Sequence, residues 1–531
     1  MKNLRAFAEL AYAPVRNRTR GSTGKFSLSK MDGIVLVFCA TSISWAATDK
    51  DFFASLVSFD GANGANPQHI ALIQATDGDF YGTTAYGGAY GEGTVFKMTL
   101  AGAVTTLYSF CTEANCTDGA NPLGVLVQSS NGNFYGTTSA GGASSACAGG
   151  CGTFFEISAG GKLNTLYSFC SQTNCTDGAN PLGLLIQATD GSFYGTTEAG
   201  GNSAQCTGGC GTVFEITGPG MLTTLHSFSG ADGANPLGGV IQAIDGAFYG
   251  TASAGGANSD GTIFRITAER ALTTMHSFDG TDGSLPSGWL VQAANGDFYG
   301  TTPAGGANGG AGCALPGVIG CGTFFEITPA GTLTTIYNFC ALGYPSCSDG
   351  AGPDAGPVQA TDGNFYGATV SGGIGTECAG NCGTFFKLTE AGTLYTLHSF
   401  DLSNGWGPSG GVVQDTNGSI YGVTYFGGNL TCNAPNGCGT VYRMSFEPSV
   451  GIGPFVQTLP ASGEVGAAVI ILGTNLTGTT GVSFNGTAAT FTVVSATEIT
   501  TTVPAGATSG TVSVITPSGT LNSNKAFQVT P

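Results

Sequence analysis

Charged residues are scarce in this 531-residue chain, since Asp, Glu, Lys and Arg together make up 9 % of it. Soluble domains carry about 25 %. Helices need charged outer faces and tolerate glycine poorly, so this scarcity and the 90 glycines argue against a helical protein. The glycines follow no G-X-Y period, which excludes collagen. The 33 Phe and 17 Tyr residues supply ample core, which argues against disorder.

Basic residues are rare beyond the N terminus, because seven of the 15 lie in the first 30 positions. A short apolar run over residues 33–47 follows and ends in small residues. We therefore predict a signal peptide over residues 1–47, with a long basic n-region, and a secreted or cell-surface protein. Eight basic and 31 acidic residues follow it, which disfavours nucleic acid as a partner. No later run is apolar and long enough for a membrane span.

A repeat dominates the middle of the chain. Its Phe-Tyr-Gly triplet begins at Phe80, Phe134, Phe193, Phe248, Phe298 and Phe365, with a variant at Ile420. Asp-Gly or Asn-Gly precedes each triplet, and a Gly-Gly pair and a Gly-Thr-apolar-aromatic segment follow it. The seven copies are 50 to 67 residues apart, a spacing that is typical of β-propeller blades or of other repeated β-structures.

Each copy predicts four short antiparallel strands. In the copy around Phe193 we place them at residues 183–188, 193–197, 212–217 and 222–228. Asp190-Gly191 predicts a tight hairpin turn in which both central residues have positive φ. The sequence thus predicts an all-β fold, a seven-bladed β-propeller over residues 48–447. An irregular β-solenoid or an array of sandwiches is the alternative.

The two ends of the repeat region complement each other. Six copies end with a fourth strand, whereas the copy at Ile420 lacks one. A matching segment lies at residues 54–59, before the first copy. We therefore expect this N-terminal segment to complete the last blade, an arrangement for which an open solenoid offers no reason.

The repeat stops near residue 448, and a region with short alternating strands follows. We predict strands at residues 468–472, 482–484, 489–494 and 511–515, with a hairpin at Asn485-Gly486. Short strands with regular turns over some 80 residues predict an immunoglobulin-like β-sandwich over residues 448–531.

Both regions resemble known families. The Asp-Gly-x-Phe-Tyr-Gly-Thr-Thr, Gly-Gly and Gly-Thr-Val-Phe elements resemble the GloVer-type tandem repeats of exported bacterial proteins, over residues 54–445. That resemblance implies export from a bacterium and carries over no catalytic residues. The run from Gly466 through Ile470-Ile471-Leu472-Gly473 to Val503-Pro504 resembles the IPT/TIG family. It implies a spacer or contact module.

The cysteines beyond Cys39 fall into eight close pairs, which we predict to be disulfides within single loops. The pairs are Cys111-Cys116, Cys147-Cys151, Cys170-Cys175, Cys206-Cys210, Cys313-Cys321, Cys340-Cys347, Cys378-Cys382 and Cys432-Cys438. A local bridge removes part of the entropy that a long loop loses on ordering. Zinc is the alternative, but it would need four ligands to converge from pairs on separate blades.

Loop position makes one face of the predicted propeller a candidate binding surface. The cysteines lie in the second and fourth connections of each copy, and alternate connections of an antiparallel meander share one end of the strands. That face carries the variable loops, where binding residues usually lie. Protection of the loops from proteases is the alternative role of the bridges.

Recurrent carboxylates and two tryptophans are the candidate ligand residues. Asp118, Asp177, Asp232, Asp282 and Asp349 recur after the fourth strand, where they serve as turn residues, as weak calcium candidates or as the acid pair of a glycosidase. Trp289 and Trp406 precede first strands, where they stack on a sugar or fill the core. His226, His276 and His398 occupy a position that carries Tyr in other copies, so we interpret them as structural aromatics.

The sequence contains no metalloprotease, P-loop or dinucleotide fingerprint, and we expect neither a catalytic residue nor a cofactor. The leading hypothesis is a monomeric, exported, non-catalytic protein whose disulfide-bridged loops contact an extracellular glycan or a surface protein. The alternatives are a polysaccharide hydrolase or lyase that uses channel-mouth carboxylates, and a structural component of the cell surface.

Overall fold

The computed structural model describes residues 52–68, 72–309, 313, 319–344, 346–378, 380–446 and 452–530. The predicted signal peptide lies outside these residues. The described chain is all-β, and its helices are two single 3-10 turns, Ala114–Cys116 and Thr173–Cys175. None of the described segments is a helix long and apolar enough to cross a membrane.

Seven antiparallel sheets correspond to the seven repeats, and we number them sheet 1 to sheet 7 in chain order; sheet 3 has five strands and the other six have four. The first strands are Ile73–Gln74, Val127–Gln128, Ile186–Gln187, Val240–Gln242, Val291–Gln292, Val358–Gln359 and Val413–Gln414. The second strands are Phe80–Thr84, Phe134–Thr138, Phe193–Ala199, Phe248–Ala252, Phe298–Thr302, Phe365–Thr369 and Ile420–Thr424. The third strands are Thr94–Met98, Thr153–Ile157, Thr212–Ile216, Thr262–Ile266, Thr323–Ile327, Thr384–Leu388 and Thr440–Ser445. The fourth strands of sheets 1 to 6 are Val104–Ser109, Leu163–Ser168, Leu222–Ser227, Leu272–Ser277, Leu333–Asn338 and Leu394–Ser399.

The first strands are shorter than the sequence predicts. In sheet 3 the predicted strand over residues 183–188 is reduced to Ile186–Gln187, and a separate segment, Ala179–Pro181, pairs with the second strand instead. Gly183 lies against the backbone of Gly239 in sheet 4, so close that a Cβ atom would meet its nitrogen at 2.5 Å. The backbones of neighbouring sheets therefore lie very close together here, and the residues around Gly183 do not take part in the regular strand pairing.

The turns between first and second strands also differ from the prediction. Gly191 has φ 83°, but Asp190 has no positive φ, so the pair does not form the predicted two-residue turn. Instead the Gly191 N–H donates to the carbonyl of Ala188, and the Asp190 carboxylate accepts the N–H of Ser192. This is the three-residue connection in which only the last residue needs the left-handed conformation.

The glycine of the Phe-Tyr-Gly triplet is required by close packing. Gly82 pairs with Phe96 of the third strand, and a Cβ atom on Gly82 would lie 2.9 Å from the Phe96 ring. The same ring-on-glycine contact recurs in sheets 2 to 6 with the equivalent phenylalanines. Each sheet thus buries an aromatic ring directly over its second strand.

The N-terminal strand completes sheet 7, as predicted. Phe52–Ser58 pairs antiparallel with Thr440–Ser445, so that the sheet combines strands from both ends of the repeat region. Val57 and the following Phe59 are buried, 7 % and 0 % exposed, in one cluster with Tyr421 and Phe80.

The contacts between neighbouring sheets run from sheet 1 to sheet 7 and on to sheet 1 again. In six of the seven junctions the tyrosine of one triplet packs on the phenylalanine of the next, with ring centroids 4.1 to 4.4 Å apart. The pair Tyr421 and Phe80 joins sheet 7 to sheet 1. The Thr416 N–H donates to Gln74 Oε1 at 2.9 Å across the same junction, as Thr76 does to Gln128 between sheets 1 and 2. Sheets 7 and 1 are therefore neighbours of the same kind as the others, as in a seven-bladed β-propeller.

Adjacent phenylalanines of the N-terminal strand give a matched stability test. Phe53 stacks on His398 of sheet 6, with centroids 3.6 Å apart, whereas Phe52 is 54 % exposed. We expect Phe53→Ala to lower the free energy of unfolding by about 2–3 kcal/mol, because it removes a packed ring. Phe52→Ala should change it by less than about 0.5 kcal/mol. Equal losses in denaturant unfolding of the two variants would contradict the packing of this strand.

Residues 452–530 form a two-layer β-sandwich. One sheet has the strand order Gln457–Leu459, Ala468–Leu472, Glu498–Thr502, Phe491–Val493. The other has the order Thr487–Ala489, Gly481–Phe484, Val512–Thr516, Gly519–Asn522, and a short parallel pair joins Ser462–Gly463 to Gln528–Val529. The predicted hairpin at Asn485-Gly486 is confirmed. The predicted strand over residues 489–494 is shortened to Phe491–Val493, because Ala489 ends a strand of the other sheet.

The sandwich contacts the propeller where sheet 7 meets sheet 1. The Phe455 N–H donates to the carbonyl of Thr416, whose hydroxyl lies 2.7 Å from that of Thr474. The Thr497 hydroxyl donates to the carbonyl of Thr76 in sheet 1. The sandwich therefore bridges the two sheets on the face that carries the tight turns.

A buried carboxyl group lies beside this contact. Asp415 is 0 % exposed and replaces a small residue of the other sheets, which carry Ala75, Ser129, Ala188, Ala243, Ala293 and Ala360 at this position. Burial raises the pKa of Asp415 to about 7, although its carboxylate accepts the N–H groups of Asn417 and Ser419. The neutral acid is thus the favoured form in the folded chain below about pH 7.

This raised pKa predicts a pH dependence of stability. An ionised Asp415 costs free energy only in the folded state, so this group should destabilise the protein progressively as the pH rises from about 4 to about 7. We expect Asp415→Asn to exceed the natural chain in unfolding free energy by about 1–4 kcal/mol at pH 8 and to match it at pH 4. Denaturant titrations at both pH values measure this, and a difference independent of pH would refute it.

Candidate functional site

Two sets of loops meet at one end of the strands, and we call this end the loop face. It holds the connections between second and third strands and those that follow the fourth strands. Bridge pairs such as Ala120 with Ala140 join the two sets, which confirms that they share a face. All eight cysteine pairs of the described residues lie here as disulfides: Cys111–Cys116, Cys147–Cys151, Cys170–Cys175, Cys206–Cys210, Cys313–Cys321, Cys340–Cys347, Cys378–Cys382 and Cys432–Cys438.

Three of the five recurrent carboxylates are buried within loops that carry a disulfide. Asp118, Asp177 and Asp349 are 1 %, 0 % and 1 % exposed. The Asp118 carboxylate accepts the Tyr108 hydroxyl at 2.8 Å and the Thr112 N–H at 2.9 Å. The other two are held in the same way by Tyr167 and Ser171, and by Tyr337 and Ala341. Each carboxylate thus ties its loop to the strand before it.

The remaining two carboxylates pair with histidine. His226 Nε2 lies 2.8 Å from Asp232 Oδ2, and His276 Nε2 lies 2.6 Å from Asp282 Oδ2. Burial tends to raise the pKa of Asp232, but the hydrogen bonds from His226 and from Ser229 outweigh it and lower the pKa to about 2. These histidines occupy the fourth-strand position that holds tyrosine in the sheets whose following loop carries a disulfide. Among the described residues no hydrogen bond joins any two of the five carboxylates.

Substitutions of Asp118 distinguish between two roles of this residue, as a hydrogen-bond acceptor in the turn and as a calcium ligand. Asn63 and Asn404 occupy the same turn position in other loops, where their side-chain oxygens accept the N–H of Asp60 and Asp401. We therefore expect Asp118→Ala to cost about 1–3 kcal/mol of unfolding free energy, because it leaves donors unpaired. Asp118→Asn should cost less than half as much. Equal melting temperatures of the natural chain in calcium chloride and in EDTA are expected.

Two outcomes would instead support a calcium site. One is a melting temperature that calcium raises in the natural chain but not in Asp118→Asn. The other is an asparagine variant that loses as much stability as the alanine variant, since an amide replaces the turn acceptor but not the charge of a calcium ligand.

Trp289 lies among the innermost backbone segments of the propeller. It belongs to sheet 5, yet its indole ring contacts the Cα positions of Gly356 in sheet 6 and Gly411 in sheet 7. A Cβ atom on either glycine would collide with the ring. Trp289 is partly buried and fills space between three sheets.

Trp406 belongs to a group of aromatic residues that breaks the repeat. In sheets 2 to 6 one bridge position at the loop face holds only alanine or serine pairs. In sheet 7 the pair is Trp406 with Phe426, and in sheet 1 it is Ala65 with Tyr86. Tyr86 of sheet 1 lies close enough to Tyr425, which directly precedes Phe426 in sheet 7, to contribute to the raised pKa of Tyr425.

We define the aromatic patch as Tyr86, Trp406, Tyr425 and Phe426. The rings of Trp406 and Phe426 are 4.9 Å apart, and those of Tyr425 and Phe426 are 4.2 Å apart. Tyr86 is 45 % exposed, and the other three are partly exposed. Burial, with the neighbouring Tyr86 as a lesser cause, raises the pKa of Tyr425 to about 12, so the patch stays uncharged at neutral pH.

Three of these four residues escape the sequence analysis, which selects only Trp406. The signal was present for Tyr86 and Phe426, because alanine or serine stands at their position in sheets 2 to 6. A second departure from the repeat lies closer to Trp289, where Ser287 donates to Asp354 Oδ1 at 2.6 Å. The equivalent residues of sheets 2 to 4 are Leu123, Leu182 and Leu237.

Comparison of the sequence with known families identifies both regions. Residues 41–207, 145–313 and 311–458 match the family described as the Gloeobacter/Verrucomicrobia repeat. The chain belongs to the Gloeobacter/Verrucomicrobia repeat family. Residues 454–529 match the IPT/TIG domain, so this second resemblance is confirmed as well. No curated protein matches the chain.

Several solved structures resemble this member of the family remotely. A fungal alcohol oxidase of the AA5 family, solved with copper, is 11 % identical, with a TM-score of 0.47 over 91 % of this chain and 100 % of that one. The periplasmic gluconolactonase PpgL of Pseudomonas aeruginosa is 14 % identical, with a TM-score of 0.39 over 67 % and 95 % of the two chains. An aldose sugar dehydrogenase of Streptomyces coelicolor, solved with PQQ, is 13 % identical, with a TM-score of 0.37 over 75 % and 99 %. At this similarity no activity transfers to the present chain.

Proposed function

We propose that the protein is an exported, non-catalytic binding protein that holds a glycan on its loop face through the aromatic patch. The observation that carries this proposal is the replacement of small bridge residues by Trp406, Phe426 and Tyr86 at two neighbouring sheets only. A residue needed for the fold alone would recur in all seven sheets. The broken symmetry therefore favours a role that a single place on the ring performs.

The chemistry of the patch suits a sugar. Aromatic rings that are apolar on the face and polar at the tip pack against the C–H groups of a sugar ring while hydroxyl groups bond at the edge. The Tyr86 and Tyr425 side chains supply such tips, and the patch carries no charge at neutral pH. The acidic balance of the chain disfavours anionic partners, so a neutral polysaccharide is the ligand class that we propose.

The rest of the chain supports presentation of this surface. The eight disulfides fit an extracellular protein. We propose that residues 1–47 direct export, that the chain is a monomer, and that the IPT/TIG domain acts as a spacer on the opposite face. Rigid loops reduce the ordering cost of binding, which is the role that we assign to the bridges.

Ligand binding should depend on the patch. We expect Trp406→Ala and Tyr86→Ala each to weaken binding of a neutral polysaccharide about tenfold, the effect of losing roughly 1.4 kcal/mol of stacking. Affinity electrophoresis of the secreted protein in a panel of polysaccharides measures this. Tyr395, 52 % exposed on the outer strand of sheet 6, is the matched control, and Tyr395→Ala should leave binding unchanged.

Other outcomes distinguish the competing functions. Equal loss of affinity in all three variants, or binding that none of them alters, would refute the patch. Release of new sugar ends from a polysaccharide, abolished by Asp232→Asn or Asp282→Asn, would establish the hydrolase or lyase instead. Self-assembly without a ligand would point to a structural surface component.

A further inference from the structure

Four sulfur atoms meet on the loop face of sheet 5. Cys313–Cys321 lies in the loop between the second and third strands, and Cys340–Cys347 lies in the loop after the fourth strand. The four Sγ atoms lie within 4.8 Å of one another, and those of Cys313 and Cys347 are 4.0 Å apart. Cys321, Cys340 and Cys347 are 0 %, 4 % and 3 % exposed. The two disulfides therefore form one nearly buried cluster.

Sheet 2 also carries two disulfides, but its sulfur atoms do not converge in this way. Only Cys147, Cys151 and Cys170 lie within the same distance of one another. Cys175 is partly exposed and stays outside the group. Both cysteine pairs are also more widely spaced in sheet 5, by 8 and 7 positions, than in sheet 2, by 4 and 5 positions.

Backbone hydrogen bonds hold three of the four cysteines. Cys321 lies two residues before the third strand, and its carbonyl accepts the Gly352 N–H. Cys340 follows the fourth strand, and its N–H donates to the carbonyl of Gly350. Cys347 is held as well, since its N–H donates to the carbonyl of Gly343 and its carbonyl accepts the N–H groups of Gly350 and Gly373.

These distances match the needs of a tetrahedral thiolate site. Zn–S bonds of about 2.3 Å place the four sulfur atoms of such a site about 3.8 Å apart. The Sγ atoms of Cys313 and Cys347, from different bridges, already lie 4.0 Å apart, and all four lie within 4.8 Å of one another. Opening of each S–S bond would move its own pair toward the separation of such a site. Zinc ligands from separate blades are not needed here, because two loops of a single sheet supply all four sulfur atoms.

We propose that Cys313, Cys321, Cys340 and Cys347 form a redox-gated metal site for a thiophilic divalent ion such as zinc. In the oxidised protein the site is two disulfides and binds no metal. A dithiol or phosphine reductant delivers two electrons and two protons to each disulfide, which breaks both S–S bonds and gives four thiols. Binding of one zinc ion then releases four protons and leaves four Zn–S bonds. Oxidation of the thiolates to two disulfides returns four electrons to the oxidant and releases the ion.

Anaerobic reduction of the purified full chain by a trialkylphosphine in the presence of Co²⁺ tests the site. We expect one equivalent of Co²⁺ per chain, with the charge-transfer and ligand-field bands of a tetrahedral tetrathiolate, displaced by Zn²⁺. The oxidised protein should bind none. Cys347→Ser and Cys313→Ser should each abolish these bands, while Cys175→Ser, the matched change in sheet 2, should retain them.

Three results would overturn the proposal. The first is a reduced chain that binds no metal, including one that unfolds on reduction and is not refolded by Zn²⁺. The second is a stoichiometry and spectrum that Cys347→Ser leaves intact. The third is equal loss of the bands in Cys175→Ser. Because circular dichroism reports the β-structure of each reduced variant, loss of the bands in a folded Cys347→Ser protein supports the site and not a folding defect.

Discussion

The antiparallel pairing of Phe52–Ser58 with Thr440–Ser445 is the interaction on which the remaining structure depends. It supplies the outer strand that sheet 7 lacks and buries Val57 and Phe59 against residues of sheets 7 and 1. Without it the third strand of sheet 7 would have an unpaired edge. The packed rings of Tyr421 and Phe80 would also lose the side chains of Val57 and Phe59 from their buried cluster. The IPT/TIG domain bridges the same two sheets on the side opposite the loop face, through hydrogen bonds of Thr416 and Thr497. Both ends of the described chain therefore stabilise one junction.

The repeat explains the core, and departures from the repeat indicate function. Tyrosine-on-phenylalanine packing and glycine under a phenylalanine ring recur because every sheet meets the same steric problem. The aromatic patch and the four-sulfur cluster each occur once, so the common fold does not require them. The patch lies at the junction of sheets 7 and 1, where the two ends of the repeat region meet. The cluster lies on sheet 5, where one loop is two residues longer than its counterpart in sheet 2.

Much of the fold follows from the sequence, because its repeat exposes strand positions that a single copy would hide. The seven sheets, the N-terminal strand of sheet 7 and the sandwich with its Asn485-Gly486 hairpin were all predictable. The short first strands were not, since the close approach of Gly183 to Gly239 is a contact between sheets that no local pattern contains. The turn at Asp190 differs because the strands accept a three-residue connection as readily as the predicted one.

The candidate sites were less predictable for a related reason. Tyr86 and Phe426 are ordinary aromatic residues in their own segments, and only alignment of the copies shows that small residues stand there elsewhere. The meeting of Cys313 with Cys347 depends on how far a loop turns inward, and spacing alone does not contain that information. The roles of the recurrent carboxylates as calcium ligands and of Trp289 as a sugar platform stay predictions.

Thermal unfolding of a chain that begins at residue 60, compared with one that begins at residue 48, tests the central junction most directly. The account predicts a lower melting temperature and a less cooperative transition for the shorter chain. It also predicts that a synthetic peptide of residues 50–60, added in excess, restores both, because it supplies the missing strand. Identical melting of the two chains, with no effect of the peptide, would show that sheet 7 is stable without this strand and would contradict the account.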